Sequence, residues 1–333
     1  MEDRETITIA DVAEALGVSK TTVSRAISGK GRIGKETREK VLAYIEEHNF
    51  KPNAIAKGLA QSKTYNICVV MPRDYEVVDW NFFQTCLFGI QETAETAGYD
   101  ILFTMSRWND ISSLERVIEN RKVDGVILMR TFLKDTQVEY LQQKTIPFVT
   151  IGSSKYKGVI QVDNNHRSAC RELTSVILKK NMKRIALIGE DEGYVVTESR
   201  LNGYRDAYAQ LGLDVEENLL FLNPENRRYV DSSVMRALGQ NVDCILCMDD
   251  AVASRVLKVL QNNRIKVPRD IWVASFYDST ILADYVPAIT SLSFDSKELG
   301  MTACRALLDL IEGLPVEERT LLPYKVVLKE STR

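Results

Sequence analysis

The sequence predicts an α/β protein in three parts: an N-terminal three-helix helix-turn-helix headpiece, a short hinge, and two doubly wound parallel-sheet lobes sharing one cleft. Three observations predict it. At 333 residues the chain exceeds the length at which a single hydrophobic core keeps growing, so it divides into units. Residues 6–50 carry an ordered set of helix caps, glycine turns and apolar faces spaced for short helices. From Tyr65 onward short apolar runs alternate with longer amphipathic ones, and the rhythm restarts with RIALIGE at 184–190.

In the headpiece, Thr8 followed by Asp11 is a capping-box start, and Val12, Ala13 and Leu16 form the apolar face of a first helix that Gly17 ends. Ser19 caps a second helix, KTTVSRAIS. Val23 and Ile27 face inward there, while Lys20, Thr21, Thr22, Ser24 and Arg25 stay outside. A third helix, KETREKVLAYIEEHN, puts Val41, Tyr44, Ile45 and His48 on one face and stops before Pro52. Two helices joined by a tight glycine turn place the second in the major groove of DNA. Arg25 can bond guanine O6 and N7 bidentately, Lys20 can donate to a guanine, and Thr21 can meet a thymine methyl. Thr22 and Ser24 suit phosphate oxygens.

Charge agrees with this placement. Residues 1–63 hold 11 Lys and Arg against 9 Asp and Glu, whereas the remainder holds 32 against 37. Within 19–40 the balance is 7 basic to 2 acidic, a patch suited to phosphates on a chain whose net charge is −3.

The ordered run TIADVAEALGVSKTTVSRAIS, then TREKV, then HNFKPNAIAKGLAQSKT resembles the headpiece and hinge of the LacI/GalR family, the lactose and purine repressors. The resemblance covers about sixty residues, puts Lys20, Thr21 and Arg25 on the family's base-reading positions, and adds Asn53, Ala56 and Leu59 as hinge contacts to DNA. NAIAKGLA is about two turns long and contains Gly58, so alone in water it is mostly unfolded. The resemblance implies that two copies order on DNA with Leu59 as a minor-groove wedge. The domain boundaries are then headpiece 1–50, hinge 51–64 and core 65–333.

In the core, YNICVVM, YDILFTM, VDGVILM and IPFVTIG read as strands separated by helices near 82–97, 112–121 and 135–143. RIALIGE, DCILCMD and IWVASFYD follow, separated by helices near 165–180, 199–211, 227–239 and 250–262. The resemblance also implies that ITSLSFD, a helix near 295–312 and YKVVLKE cross back between lobes. The resemblance to the family and to periplasmic sugar-binding proteins implies an N-lobe of about 65–161 and 292–322, with a C-lobe of about 162–291 and 323–333. Ligands of open parallel sheets bind beyond the carboxyl ends of strands, a rule that selects Arg130, Thr131, Gly152, Asp249, Tyr277 and Asp278 among others.

Arg200, in ESRLNGY, matches the family's R-x-x-G-aromatic motif, whose arginine grips the effector, and Asp278 matches the aspartate on the opposing strand end. Together they can bond vicinal hydroxyls of a pyranose, or else form a structural ion pair. Phe82 and Phe83 match the family's aromatic effector wall, one of them doubling as core. The expected effector set is therefore Phe82, Phe83, Arg130, Arg200, Asp249 and Asp278. The chain departs from the family at Phe276-Tyr277-Asp278, where Gly-Phe-Asp is usual, and at Asp249, where Asn is common. The effector of a well-known relative is not transferable on this basis.

Other classes lack their parts. Neither a G-x-S-x-G elbow, a P-loop nor a G-x-G-x-x-G is present, and the cleft is expected to contain no histidine, so the reading is not an enzyme. Cys244 and Cys247 have C-x-x-C spacing, but a strand points them to opposite faces, so they read as buried free thiols with no metal and no cofactor. The start MEDRETITIADVAEAL has no apolar stretch behind a basic one, and no run approaches a membrane span, which predicts a cytoplasmic protein. A homodimer reading a palindromic operator is expected, because one headpiece reads too few bases. The prediction is a repressor of carbohydrate-utilisation genes released by a sugar. The alternative is a regulator that needs a nucleobase-like co-repressor or a phosphorylated carrier protein.

Overall fold

The computed structural model describes residues 7–28, 31–48, 63–73, 80–189, 191–223 and 227–333. The chain separates into two compact units, Met1–Thr64 and Tyr65–Arg333.

The first unit contains α1 (Ile9–Ala15), α2 (Lys20–Ser28) and α3 (Lys35–Glu47). The capping box is formed: the Asp11 amide donates to Thr8 Oγ1, and Asp11 Oδ2 accepts from the Thr8 amide at 2.7 Å. Gly17 turns the chain at φ +63°, a conformation glycine adopts without steric penalty, and Ser19 Oγ then accepts from the Thr22 amide at 3.1 Å. Val12, Ala13, Val23, Ala26 and Val41 close the small core, with Ile27, Tyr44 and Ile45 half-buried around it. The interior position of α2 is therefore Ala26 more than Ile27. His48 is exposed at the end of α3, stacked on Tyr44 at 3.9 Å.

The second unit has two six-stranded sheets. In the first, β1 (Asn66–Pro72), β2 (Asp100–Ser106), β3 (Gly125–Leu128), β4 (Phe148–Ile151), β5 (Ile160–Asn164) and β11 (Arg319–Leu322) run in the order β2-β1-β3-β4-β5-β11, every pair parallel. In the second, β6 (Ile185–Ile188), β7 (Leu220–Phe221), β8 (Cys244–Cys247), β9 (Trp272–Ser275), β10 (Thr290–Phe294) and β12 (Tyr324–Val327) run β7-β6-β8-β9-β10-β12. Only β12, at the edge, is antiparallel. Each chain path starts in mid-sheet and reverses direction, at β1/β3 and at β6/β8, which opens a crevice at the strand ends. The inner strands are buried on both faces and read as continuous apolar runs, as parallel sheets require. Cys244 and Cys247 fall into core clusters on opposite faces of their sheet.

The helices are α4 (Trp80–Thr96), α5 (Ser112–Glu119), α6 (Thr136–Gln143), α7 (His166–Lys179), α8 (Val195–Gln210), α9 (Arg227–Gly239), α10 (Asp250–Asn262) and α11 (Ser296–Ile311). α4 and α11 meet backbone to backbone: a Cβ at Gly89 would lie 2.1 Å from Lys297 O, and one at Gly300 2.1 Å from Cys86 O. α7 and α8 meet in the same way at Gly203.

Three differences from the expected layout have local causes. Strands β5, β7 and β11 are additional: β5 carries Gln161, Asp163 and Asn164, β7 has two residues, and β11 is a half-exposed edge. The chain crosses between sheets after Asn164, Phe294 and Leu322, so the first two crossings come three residues later than the boundaries at 161 and 291. Asp163 and Asn164 continue the first strand to its crossing, and Leu292, Ser293 and Phe294 the second. α8 begins at Val195 and not at 199, because backbone pairing with the 130–133 segment holds a turn that two β-branched valines do not favour alone.

Candidate functional site

Two surfaces carry the expected chemistry. In the headpiece, the inward row of α2 is Val23 and Ala26, which leaves Lys20, Thr21, Ser24 and Arg25 exposed as one polar stripe. Thr22 is half-buried and its hydroxyl is hydrogen-bonded with Ser19 Oγ at 2.9 Å, so it is the least available of the five. Arg25 lies along Gly31, whose positive φ and missing Cβ leave room for the guanidinium stem. The hinge positions Asn53, Ala56 and Leu59 lie outside the described residues.

In the core, a cavity opens where the strands of both sheets end. About 640 Å³ of space, counted out to its open mouth, is bordered by the ends of β3, β4, β5, β8 and β9 and by the first turns of α4, α7 and α8. Five of the six expected residues border it: Phe82, Phe83, Arg130, Arg200 and Asp249. Phe82 and Phe83 pack edge to face at 5.2 Å, and Phe82 meets Tyr277 across the cleft at 5.8 Å. Phe83 is also the more buried, in the core beneath α4.

Arg200 is 7% exposed, yet among the described residues it makes no hydrogen bond or ion pair, and its Nε is buried without a partner. Asp249 caps α10, accepting from the Val252 amide at 2.7 Å. Beside it, burial raises the Asp250 carboxyl above its ordinary range, against the hydrogen bond from Ser279.

Two expectations need correcting. Asp278 does not border the cavity and does not oppose Arg200: its Oδ2 accepts from Lys329 Nζ at 3.0 Å, beside a neighbouring hollow. Tyr277 borders the cavity in its place, while the ion pair with Lys329 holds Asp278 at the neighbouring hollow. The cleft also contains a histidine. His166, the first residue of α7, borders the cavity with Asp163 from the end of β5, its Nε2 3.7 Å from Asp163 Oδ1. Burial, and then the Arg200 charge, hold its pKa well below the ordinary value, so it is neutral and 3.7 Å is not an ion pair. Burial raises Asp163, opposed by hydrogen bonds from Ser153 Oγ at 2.7 Å, the Ser153 amide at 2.9 Å and the Asn164 amide at 2.8 Å. Both residues obey the strand-end rule, but at a strand that the apolar pattern did not reveal.

The cavity thus presents carboxylate acceptors, guanidinium donors, a neutral imidazole and an aromatic wall. These groups can donate to, accept from and stack against a small polar molecule. Among the described residues, no helix is long and apolar enough to cross a membrane.

Comparison with known proteins identifies the domains that carry the two surfaces. Residues 8–53 match the model of the bacterial regulatory proteins of the lacI family, and residues 175–332 match a periplasmic binding protein-like domain. The HTH-type transcriptional regulator MalR of Streptococcus pneumoniae is 30% identical, over 97% of this chain and 99% of its own. Catabolite control protein A of Staphylococcus xylosus is 27% identical over 98% and 100%. Among solved structures, the transcriptional regulator CelR in complex with cellobiose superposes with a TM-score of 0.73 at 25% identity, covering 98% of this chain and 99% of that one. The lac repressor dimer bound to operator and an anti-inducer gives 0.81 at 21%, with the same coverage, a likeness of fold.

Proposed function

The chain belongs to the LacI family of bacterial regulatory proteins, a family of DNA-binding transcription regulators. On that premise we propose that it represses carbohydrate-utilisation genes as a homodimer on a palindromic operator, and that a sugar in the interlobe cleft releases it. Lys20, Thr21 and Arg25 read bases, with Ser24 and Thr22 on the flanking phosphates. Asn53, Ala56 and Leu59 supply the hinge contacts. One observation carries the effector reading: Arg200, buried at the strand ends beside Asp163 and Asp249, leaves its guanidinium donors unspent inside a cavity with an aromatic wall. Burying a cation without partners is costly, and a ligand's hydroxyl oxygens supply acceptors for it. That CelR is described in complex with cellobiose supports a sugar as the ligand class.

The test has two arms. Selection from random duplex DNA with the full chain should return a palindrome, and Arg25→Ala should cost about 1–3 kcal/mol at one base pair of it. Equal loss on specific and random DNA refutes the base-reading role. A thermal-shift panel of sugars and nucleobases should contain a stabilising sugar whose shift disappears in Arg200→Ala. Adding that sugar should weaken operator binding. A stabilising nucleobase that strengthens operator binding establishes co-repression instead.

A further inference from the structure

Besides the three crossovers, the two lobes are joined by backbone hydrogen bonds directly after the expected site residue Arg130. Residues 130–133 leave β3 in the first lobe, and residues 193–195 lead into α8 in the second. The Leu133 amide donates to Gly193 O at 2.9 Å and the Val195 amide to Thr131 O at 3.3 Å, forming an antiparallel bridge between Phe132 and Tyr194. Side chains reinforce it. The Phe132 and Tyr194 rings meet at 5.6 Å, both nearly buried, and Lys155 of the first lobe pairs with Glu198 on α8. Asp135 braces the loop, accepting from the Phe132 amide at 3.1 Å while capping α6.

The Tyr194 ring also lies 4.4 Å from the guanidinium of Arg130, which sits 5.3 Å from the Phe83 ring on the other lobe. Arg130 is thus held by one aromatic face from each lobe. Both partners of the bridge border the cavity, the first through Arg130 and Thr131, the second through Val196 and Arg200 one turn further along α8.

We propose that Tyr194 is a positioning residue of the effector cleft: its ring holds the Arg130 guanidinium at the cavity wall from the opposite lobe, and the bridge beneath it clasps the lobes through protein contacts alone. The proposal rests on reading the cavity as the effector site. A guanidinium stacked on an aromatic ring away from water is attracted to it and loses rotameric freedom. A two-bond bridge bordered by a cavity opens as a small local unit, and its opening is what amide exchange reports. The clasp sets how far the cleft is already closed when a sugar arrives, and closure gained in advance is affinity gained.

The experiment is hydrogen exchange on the full chain in sugar-free buffer, followed in peptides containing the Leu133 and Val195 amides. Tyr194→Ala should accelerate their exchange about tenfold, and Arg130→Ala by a similar factor, with the double substitution adding little to either. Tyr194→Phe keeps the ring and should stay within about twofold of the parent, while peptides from α9 and β12 should not change in any variant. Unchanged exchange in Tyr194→Ala, or a Phe variant as fast as the Ala variant, overturns the proposal. No sugar enters this measurement, so its failure refutes the clasp, whereas a sugar panel that stabilises nothing refutes the effector reading.

Discussion

Gly203 is the glycine of the R-x-x-G motif, and the structure gives the motif a mechanical reason. On Gly203→Ala, the new Cβ would lie 2.4 Å from Arg167 O, 2.9 Å from Cys170 Cβ and 3.1 Å from the Arg171 amide nitrogen. Ordinary carbon contacts begin near 3.5 Å, so α8 must withdraw from α7 by about 1 Å. The closest obstacle is a helix carbonyl, not the end of a flexible side chain, so the helices move as bodies. Overpacking of this kind costs about 1–3 kcal/mol, and alanine's advantage over glycine inside a helix returns about 1 kcal/mol. The net expectation is a loss of about 1 kcal/mol, a fall in Tm of roughly 2–4 °C for a unit of this size. Gly239→Ala is the control: nothing lies within 4 Å of its Cβ, at the last residue of α9, and it should raise Tm slightly. Differential scanning calorimetry on both variants decides the matter. A Gly203→Ala protein as stable as the parent refutes the close-approach account. Because Arg200 rides on the same helix, this variant should also weaken binding of the proposed effector beyond its loss of stability.

Two further outcomes follow from buried titratable groups. His166 has a depressed folded pKa, so its contribution to stability is complete above about pH 6.5 and is lost as pH falls toward the folded value. Between about pH 7.5 and 5.5 the parent should therefore lose stability that His166→Gln, followed by urea midpoints, retains; an equal fall in both would mean that His166 titrates normally. All six cysteines are buried and free, with the thiols of Cys68 and Cys304 pushed up to about 12 by burial. A thiol-reactive dye at pH 8 should therefore count six thiols in urea and almost none in the native chain, and rapid native labelling would contradict the burial.

The legible part of the sequence was the part whose signals are local. The capping box at Thr8 and the turn at Gly17 announce the headpiece within a few residues. VILM and ILCM declare inner strands because both faces are covered. β5 was illegible for the opposite reason: Gln161, Asp163 and Asn164 interrupt its apolar run, and with the strand went the two cavity residues at its end, Asp163 and His166. The fate of Asp278 depends on Lys329, 51 residues away, and Tyr194 on Arg130, 64 residues away; no periodicity links such pairs.

The order in which the strands join has a consequence for biosynthesis. The first sheet receives its last strand from residues 319–322 and the second from 324–327, with Ser331 Oγ donating to Val273 O to seal the second core. A nascent chain that has emerged only as far as residue 318 lacks the strands that pair with β5 and β10. Neither lobe can finish ahead of the other while the ribosome is still at work on this stretch. Unpaired strand edges are where neighbouring chains join. The edges at β5 and β10 are therefore covered almost at the same moment, by two strands that follow one another in the sequence.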